Sequence, residues 1–300
     1  MTSSGGLYHW GTIFSIDTDG TGFKDIFNFK LYGSNPYGNL TIVGRKLFGM
    51  TLGGGSTGGG CIFSIDSGGS GYKDVFDFTL YGTKGYSGYG DLTLSGNKFY
   101  GMLDHGGAFN KGVIFSIDTN GTSYKDIHDF KGSTTDGAGP ISSVTLAGNK
   151  LYGMTSLGGA TGNGIVFSMD TNGSQFTDMV DFNILNGYQP IGSLINAGNK
   201  LYGMTWGGFV NFAGTIFSID TNGTIFTDMY NFNGTTGGNP DYGILTLVGN
   251  SLYGMASGGG SGDSGVVFKF DTALFLSLKV PSGANELSVR RMTISVLLLI

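Results

Sequence analysis

One short string dictates what this chain can fold into, because it keeps coming back. LYGMT stands at Leu151–Thr155 and again at Leu201–Thr205, with LFGMT at Leu47, FYGML at Phe99 and LYGMA at Leu252. GTIFSID begins at Gly11 and Gly214, and relatives begin at Gly60, Gly112, Gly164 and Gly265. A third string, aromatic-x-Asp-x-x-(Asp/Asn)-Phe, ends at Phe29, Phe78, Phe130, Phe182 and Phe232. Self-similarity at a fixed period marks a stack of one supersecondary unit.

The spacing separates fixed from free parts. The motif methionines Met50, Met102, Met154, Met204 and Met255 each precede an aspartate by 16 residues: Asp66, Asp118, Asp170, Asp220 and Asp271. Met1 and Asp17 show the same spacing. In the first five registers another aspartate follows 8 later: Asp25, Asp74, Asp126, Asp178 and Asp228. The gaps from there to the next methionine are 25, 28, 28, 26 and 27, so all length variation is confined to one connection. Connections tolerate insertion and hydrogen-bonded ladders do not.

Each period of 49–52 residues holds four β-rich runs. In the third complete unit they are Ser143–Ala147, Lys150–Thr155, Gly164–Asp170 and Phe176–Phe182, divided by Gly-Asn, Gly-Gly and Thr-Asn-Gly turn signals. No run has a helical period, and 58 glycines in 300 residues penalise helices. The strands are apolar on both faces, so every sheet needs a neighbour on each side. Radial stacking of four-stranded sheets supplies that, and the expected fold is an all-β propeller. The chain starts inside a second strand and its last motif ends at Asp271, which predicts about six blade positions. The seam blade is expected to be incomplete or shared between the termini. Residues 1–271 read as one repeat domain, with registers at 1–37, 38–90, 91–142, 143–192, 193–242 and 243–271, and 272–300 as a divergent C-terminal tail. The glycine inside LYGM is expected to mark close backbone approach where blades converge.

The pattern LYGMTSLGGATGNGIVFSMDTNG, followed by an aromatic strand and a Gly/Pro-rich loop, resembles the GloVer tandem-repeat family. The resemblance covers about residues 1–271. It implies a bacterial protein that is secreted or held at the cell surface, and it implies no particular activity. The opening MTSSGGLYHW has neither the basic run nor the apolar core of a signal peptide. Residues 273–300 match no sorting signal. The apolar stretch Met292–Ile300 falls well short of the roughly 20 residues of a membrane span.

Composition narrows the partners. Lys and Arg number 16 against 21 Asp and Glu, a net charge of −5, which argues against nucleic acid. A single cysteine, Cys61, excludes an internal disulfide. HExxH, CxxC and a Walker-type phosphate loop are absent from the sequence, and no GxSxG stands in the strand–helix context of a nucleophile elbow, so neither a cofactor nor a metal ion is expected. The Ser168-x-Asp170-x-x-Gly173 string resembles the Asp-box of sialidase-type propellers with one extra residue. It reads as a hairpin turn in which the Asp accepts backbone N–H bonds. The aspartates that recur in every fourth strand read as architecture, since one substrate needs one constellation. Positions that break the repeat are better candidates. Asp104-His105 replaces Ser156-Leu157 and is the one Asp-His pair, with Asp able to orient His as a base. Trp10 and Trp206 lie in connections between second and third strands and have the flat faces that stack on sugars. His128 stands where other units have Phe, Val or Tyr and reads as a core variant. These features predict a monomeric binding or adhesion module for extracellular glycans or surface proteins, its binding residues being Trp10, Asp104, His105 and Trp206. The alternative is a carbohydrate-active hydrolase or lyase with its site at the axial mouth, for which no acid/base pair of carboxyls is identifiable.

Overall fold

A computed structural model describes residues 1–30, 33–241, 243–260, 262–273 and 295–296. It is built almost wholly of antiparallel strands. Among the described residues six blade sheets follow one another along the chain, and two short two-stranded ladders, Gly33–Ser34 with Gly53–Gly54 and Gly137–Ala138 with Leu157–Gly158, lie in the connections between them. The first blade sheet pairs Thr12–Ser15 with Lys24–Asn28. The other five are four-stranded. The fourth sheet is representative: Thr145–Ala147, Lys150–Thr155, Ile165–Asp170 and Thr177–Asp181 lie side by side in chain order, within two residues of the runs read from sequence. The expected second strand of the first sheet is reduced to one bridge, Thr2 to Thr12, so that sheet is the incomplete one. In the sixth sheet Ser295–Val296 pairs with Phe268–Lys269 and takes the fourth place. Most of the 272–300 tail lies outside the described residues. By contacts the chain divides into two compact units, Met1–Phe182 and Asn183–Ile300.

Register explains the motif. Gly153 faces Phe167 across the two central strands, as Gly49 faces Phe63 and Gly101 faces Phe115. A Cβ on Gly153 would sit 2.5 Å from Cζ of Phe167. The expectation of close backbone approach near an axis is therefore corrected. The glycine leaves a gap that the partner strand's aromatic ring fills, and what comes close is a side chain. At the far end of the same hairpin, Lys150 meets Asp170 at 3.0 Å and Lys98 meets Asp118 at 2.9 Å. The turn beyond carries an Asx motif, with Asn172 Oδ1 accepting from Ser174 N at 2.9 Å.

The third string owes its spacing to a bulge. In the fourth sheet the register shifts between Val166 and Phe167, so that Asp178 lies opposite Phe167 and Asp181 opposite Ile165. Residues three apart in a regular strand point to opposite faces, and the extra residue returns both carboxylates to one face. The second of the pair closes the glycine-rich connection: Asp129 Oδ1 accepts from Ala108 N at 3.3 Å, Asp181 Oδ1 from Ala160 N at 2.5 Å, and Asn28 Oδ1 from Leu7 N at 2.7 Å. The first partner keeps its Oδ1 buried without a hydrogen bond in Asp126, Asp178 and Asp228. Burial pushes the carboxyls of Asp126, Asp178 and Asp228 upward, that of Asp178 to about 6 with help from Asp181 and Asp136.

Within each unit, neighbouring sheets bury the same two faces. The Tyr/Met/Ile side of one sheet packs on the Leu/Phe side of the next. Tyr100, Met102 and Ile114 of the third sheet meet Leu151, Phe167 and Met169 of the fourth. Tyr202, Met204 and Ile216 of the fifth meet Leu252, Phe268 and Phe270 of the sixth. His128 is more than a substituted core residue. Its ring stacks on Phe176 at 3.9 Å, in the place Phe76 holds against Tyr124, and its Nε2 lies 3.1 Å from Asp136 Oδ1. That carboxylate also accepts from the backbone of Lys131 and Gly137 and so fixes the connection into the fourth sheet.

Candidate functional site

A cleft open to solvent lies at the end of the third sheet, where two connections touch. One runs from Phe78 to Leu92, the other from Asp104 to Gly112. They are tied by backbone bonds in both directions: Tyr86 N to His105 O at 3.1 Å, His105 N to Tyr86 O at 3.3 Å, and Asp104 N to Ser87 O at 3.1 Å. Gly106 makes this contact possible. Its φ is +88°, and a Cβ there would lie 2.4 Å from Cα of Gly85. Any side chain would push the two connections apart.

The contact assembles an aromatic and polar wall. Tyr86 is buried and its ring stacks on the His105 imidazole, centroids 5.1 Å apart and planes 22° apart. Tyr81 meets Tyr86 edge to face at 5.6 Å and is 83% exposed. With Thr83, Asn110 and the glycines they enclose a cavity of about 150 Å³. The Asn110 side-chain oxygen accepts from Gly106 N at 3.1 Å, which fixes the floor.

Asp104 and His105 come together as their adjacency suggests. His105 Nδ1 lies 2.8 Å from Asp104 Oδ2. The carboxylate is largely buried and the imidazole half-exposed. Burial pushes the Asp104 carboxyl up, and the neighbouring His105 draws it part of the way back. Holding Nδ1–H on the carboxylate leaves Nε2 outward as an acceptor. Neither Asp104 nor His105 lines the cavity itself, where His105 enters only by stacking on Tyr86, and the other two predicted residues lie in other connections. Trp10 is 38% exposed in the first sheet's connection, its carbonyl accepting from Asn35 N at 3.0 Å. Trp206 occupies the register of Asp104 in the fifth sheet. It is half-buried, edge-on to Tyr188 at 6.1 Å. Gly207 stands there in place of His105, and the Tyr188 ring fills the space a side chain would need.

Sequence reasoning missed Tyr81 and Tyr86 because both lie in the connection of variable length. A signal was present: Gly-Tyr precedes the short first strand in the third and fifth registers, at Tyr86 and Tyr188, and Ala138 stands there in the fourth.

Among the described residues one cluster has metal-ligand chemistry. Cys61 Sγ and the carboxylates of Asp74 and Asp77 lie within 4.8 Å of one another. Burial pushes the thiol up to about 12, so it stays protonated and bonds Thr51 and Asp74. The third and fourth sheets carry the same carboxylate pair with Val113 and Ile165 in the place of Cys61. The cluster is thus a variant of blade construction.

A model of the Gloeobacter/Verrucomicrobia repeat matches residues 1–147 and again residues 133–282. The chain belongs to the Gloeobacter/Verrucomicrobia repeat family. Among solved structures, this repeat protein is similar to a chain of the nidogen/laminin complex, at 13% identity and a TM-score of 0.54, over 84% of this chain and 81% of that one. It is similar also to the putative TolB from Agrobacterium tumefaciens, at 14% identity and a TM-score of 0.52, over 78% of each chain. Both neighbours are β-propellers, and the fold of the repeat protein is of that class. No curated protein matches it. Among the described residues no helix is long and apolar enough to cross a membrane.

Proposed function

We propose that the protein is a binding module that takes glycans in the cleft lined by Tyr81, Tyr86, Thr83 and Asn110, with His105 stacked on Tyr86 beside it. The observation that carries this reading is the combination of an exposed phenol ring, a second ring stacked on an imidazole, and hydrogen-bonding side chains around a cavity of about 150 Å³. Sugar rings present apolar C–H faces and hydroxyl edges, which aromatic faces and polar side chains complement. A secreted or cell-surface location accords with the family resemblance and is part of the same proposal. The hydrolase alternative draws support from the 2.8 Å Asp104–His105 bond, which is general-base geometry. The cleft lining itself contributes no carboxyl, so the acid/base pair of a hydrolase is not assembled there.

A glycan array followed by calorimetry on the best ligand tests the proposal. Tyr81→Ala, at a largely exposed position, is expected to weaken binding about tenfold, close to 1.4 kcal/mol, while leaving the melting temperature unchanged. A wild-type protein that binds no glycan, or a Tyr81→Ala variant that binds as wild type, overturns it. Glycan turnover abolished by His105→Ala would favour the enzyme instead.

A further inference from the structure

The two outermost sheets each leave one face uncovered, and the two faces are the halves of one junction. In the second to fifth sheets the methionine of LYGM is at most 2% exposed, whereas Met255 is 63% exposed. Tyr253 and Val267 on the same side are 37% and 40% exposed, against at most 8% for their counterparts Tyr202 and Ile216. This is the side that in the second, third and fifth sheets receives the Leu/Phe face of the following sheet. In the first sheet the opposite side is open. Ile16 is 50% exposed where Ile65, Ile117 and Ile219 are fully buried, and Phe23, stacked on Phe14 at 5.5 Å, is 62% exposed. This is the side that in the second and third sheets receives the Met/Ile face of the preceding sheet.

We propose that the Tyr253–Met255–Val267 face binds the Phe14–Ile16–Phe23 face of a second copy of this chain, head to tail. The occupant is specified by the repeat itself. The same residue types at the same registers mate at the junctions within each unit, so the interface already exists several times in the molecule. Apolar faces of this kind, left in water, favour association. A heterologous contact of this type joins unlike surfaces and can propagate from copy to copy. Self-association of this kind replaces the monomer expected from sequence.

Sedimentation velocity on the full chain is the test. The wild-type mass is expected to rise with concentration past that of one chain. Met255→Glu alone and Phe23→Lys alone are each expected to abolish the rise, since each removes one half of every junction. Their equimolar mixture is expected to recover association but to stop at two chains, because one variant keeps the live first-sheet face and the other the live sixth-sheet face. Circular dichroism confirms that both variants fold, and Val267→Lys serves as a second substitution on the same face. A wild-type chain that stays monomeric overturns the proposal, whether or not Met255 is protected from oxidation by closure within one chain. So does a mixture that stays monomeric, or either single variant that still associates.

Discussion

Replacing Gly153 by Ala tests the claim that the repeat glycine is there for a ring. The added Cβ would lie 2.5, 2.8 and 3.3 Å from Cζ, Cε1 and Cε2 of Phe167, inside the roughly 3.5–4.0 Å of an unstrained carbon contact. The ring has nowhere to retreat. Phe167 is fully buried, with Phe130 edge-on at 5.5 Å on one side and Phe176 stacked at 5.4 Å on the other. Overpacking of this kind costs about 1–3 kcal/mol. Ala in a strand recovers about 0.5–1 kcal/mol of backbone entropy relative to Gly. The net expectation is a loss of about 1–2 kcal/mol, opposite in sign to the propensity effect alone. Phe167→Ala by itself is expected to cost about 3–5 kcal/mol. On that background the clash disappears, and Gly153→Ala is expected to stabilise by about 0.5–1 kcal/mol. Urea unfolding of the wild type, both single variants and the double variant gives the coupling energy directly. Additivity within about 0.5 kcal/mol would refute the ring-filling account, as would a stabilising Gly153→Ala in the wild-type background.

Two further outcomes follow from buried groups. The Asp178 carboxyl, pushed up to about 6 by burial and by Asp181 and Asp136, holds its proton more tightly folded than unfolded, where it titrates near 3.9. Its contribution to stability is complete below about pH 4 and is lost as pH rises through about 6, so Asp178→Asn should flatten the profile over that window. Because the side chain is half-buried and partly screened, the gain at pH 7 is expected to be about 1 kcal/mol, and identical pH slopes for the two proteins would refute the assignment. Cys61 is fully buried with its thiol pushed up to about 12, so iodoacetamide should label it only after denaturant is added. Rapid stoichiometric labelling of the native protein at pH 8 would show that the site opens.

Much of the architecture was legible because the signals are local and repeated. The turn dipeptides and the fixed distance from Met154 to Asp170 place the central hairpin to within a residue or two. The glycine's purpose was not legible, because it depends on which residue faces Gly153 across the hairpin, and register is a property of the pair of strands. The recurring Asp178 read as architecture, but the sequence carried no sign that a bulge puts it on the same side as Asp181. For the site, Asp104 and His105 stood out as a break in the pattern. Tyr81 and Tyr86 lie more than a dozen residues away in the connection whose length drifts, where alignment of the units fails. Trp10 and Trp206 carried the right chemistry and lie in other connections.

The backbone tie between Tyr86 and His105 has counterparts at Ala138–Leu157, Tyr188–Gly207 and Gly238–Gly258. Every blade edge from the third to the sixth sheet is thus a separately latched display tile. Mutational drift can exchange the paired residues of one tile, aromatic with imidazole here, Ala with Leu there, without disturbing the ladders behind it. If the cleft binds as proposed, recognition would diversify tile by tile, and transplanting a pocket would mean moving two short segments together.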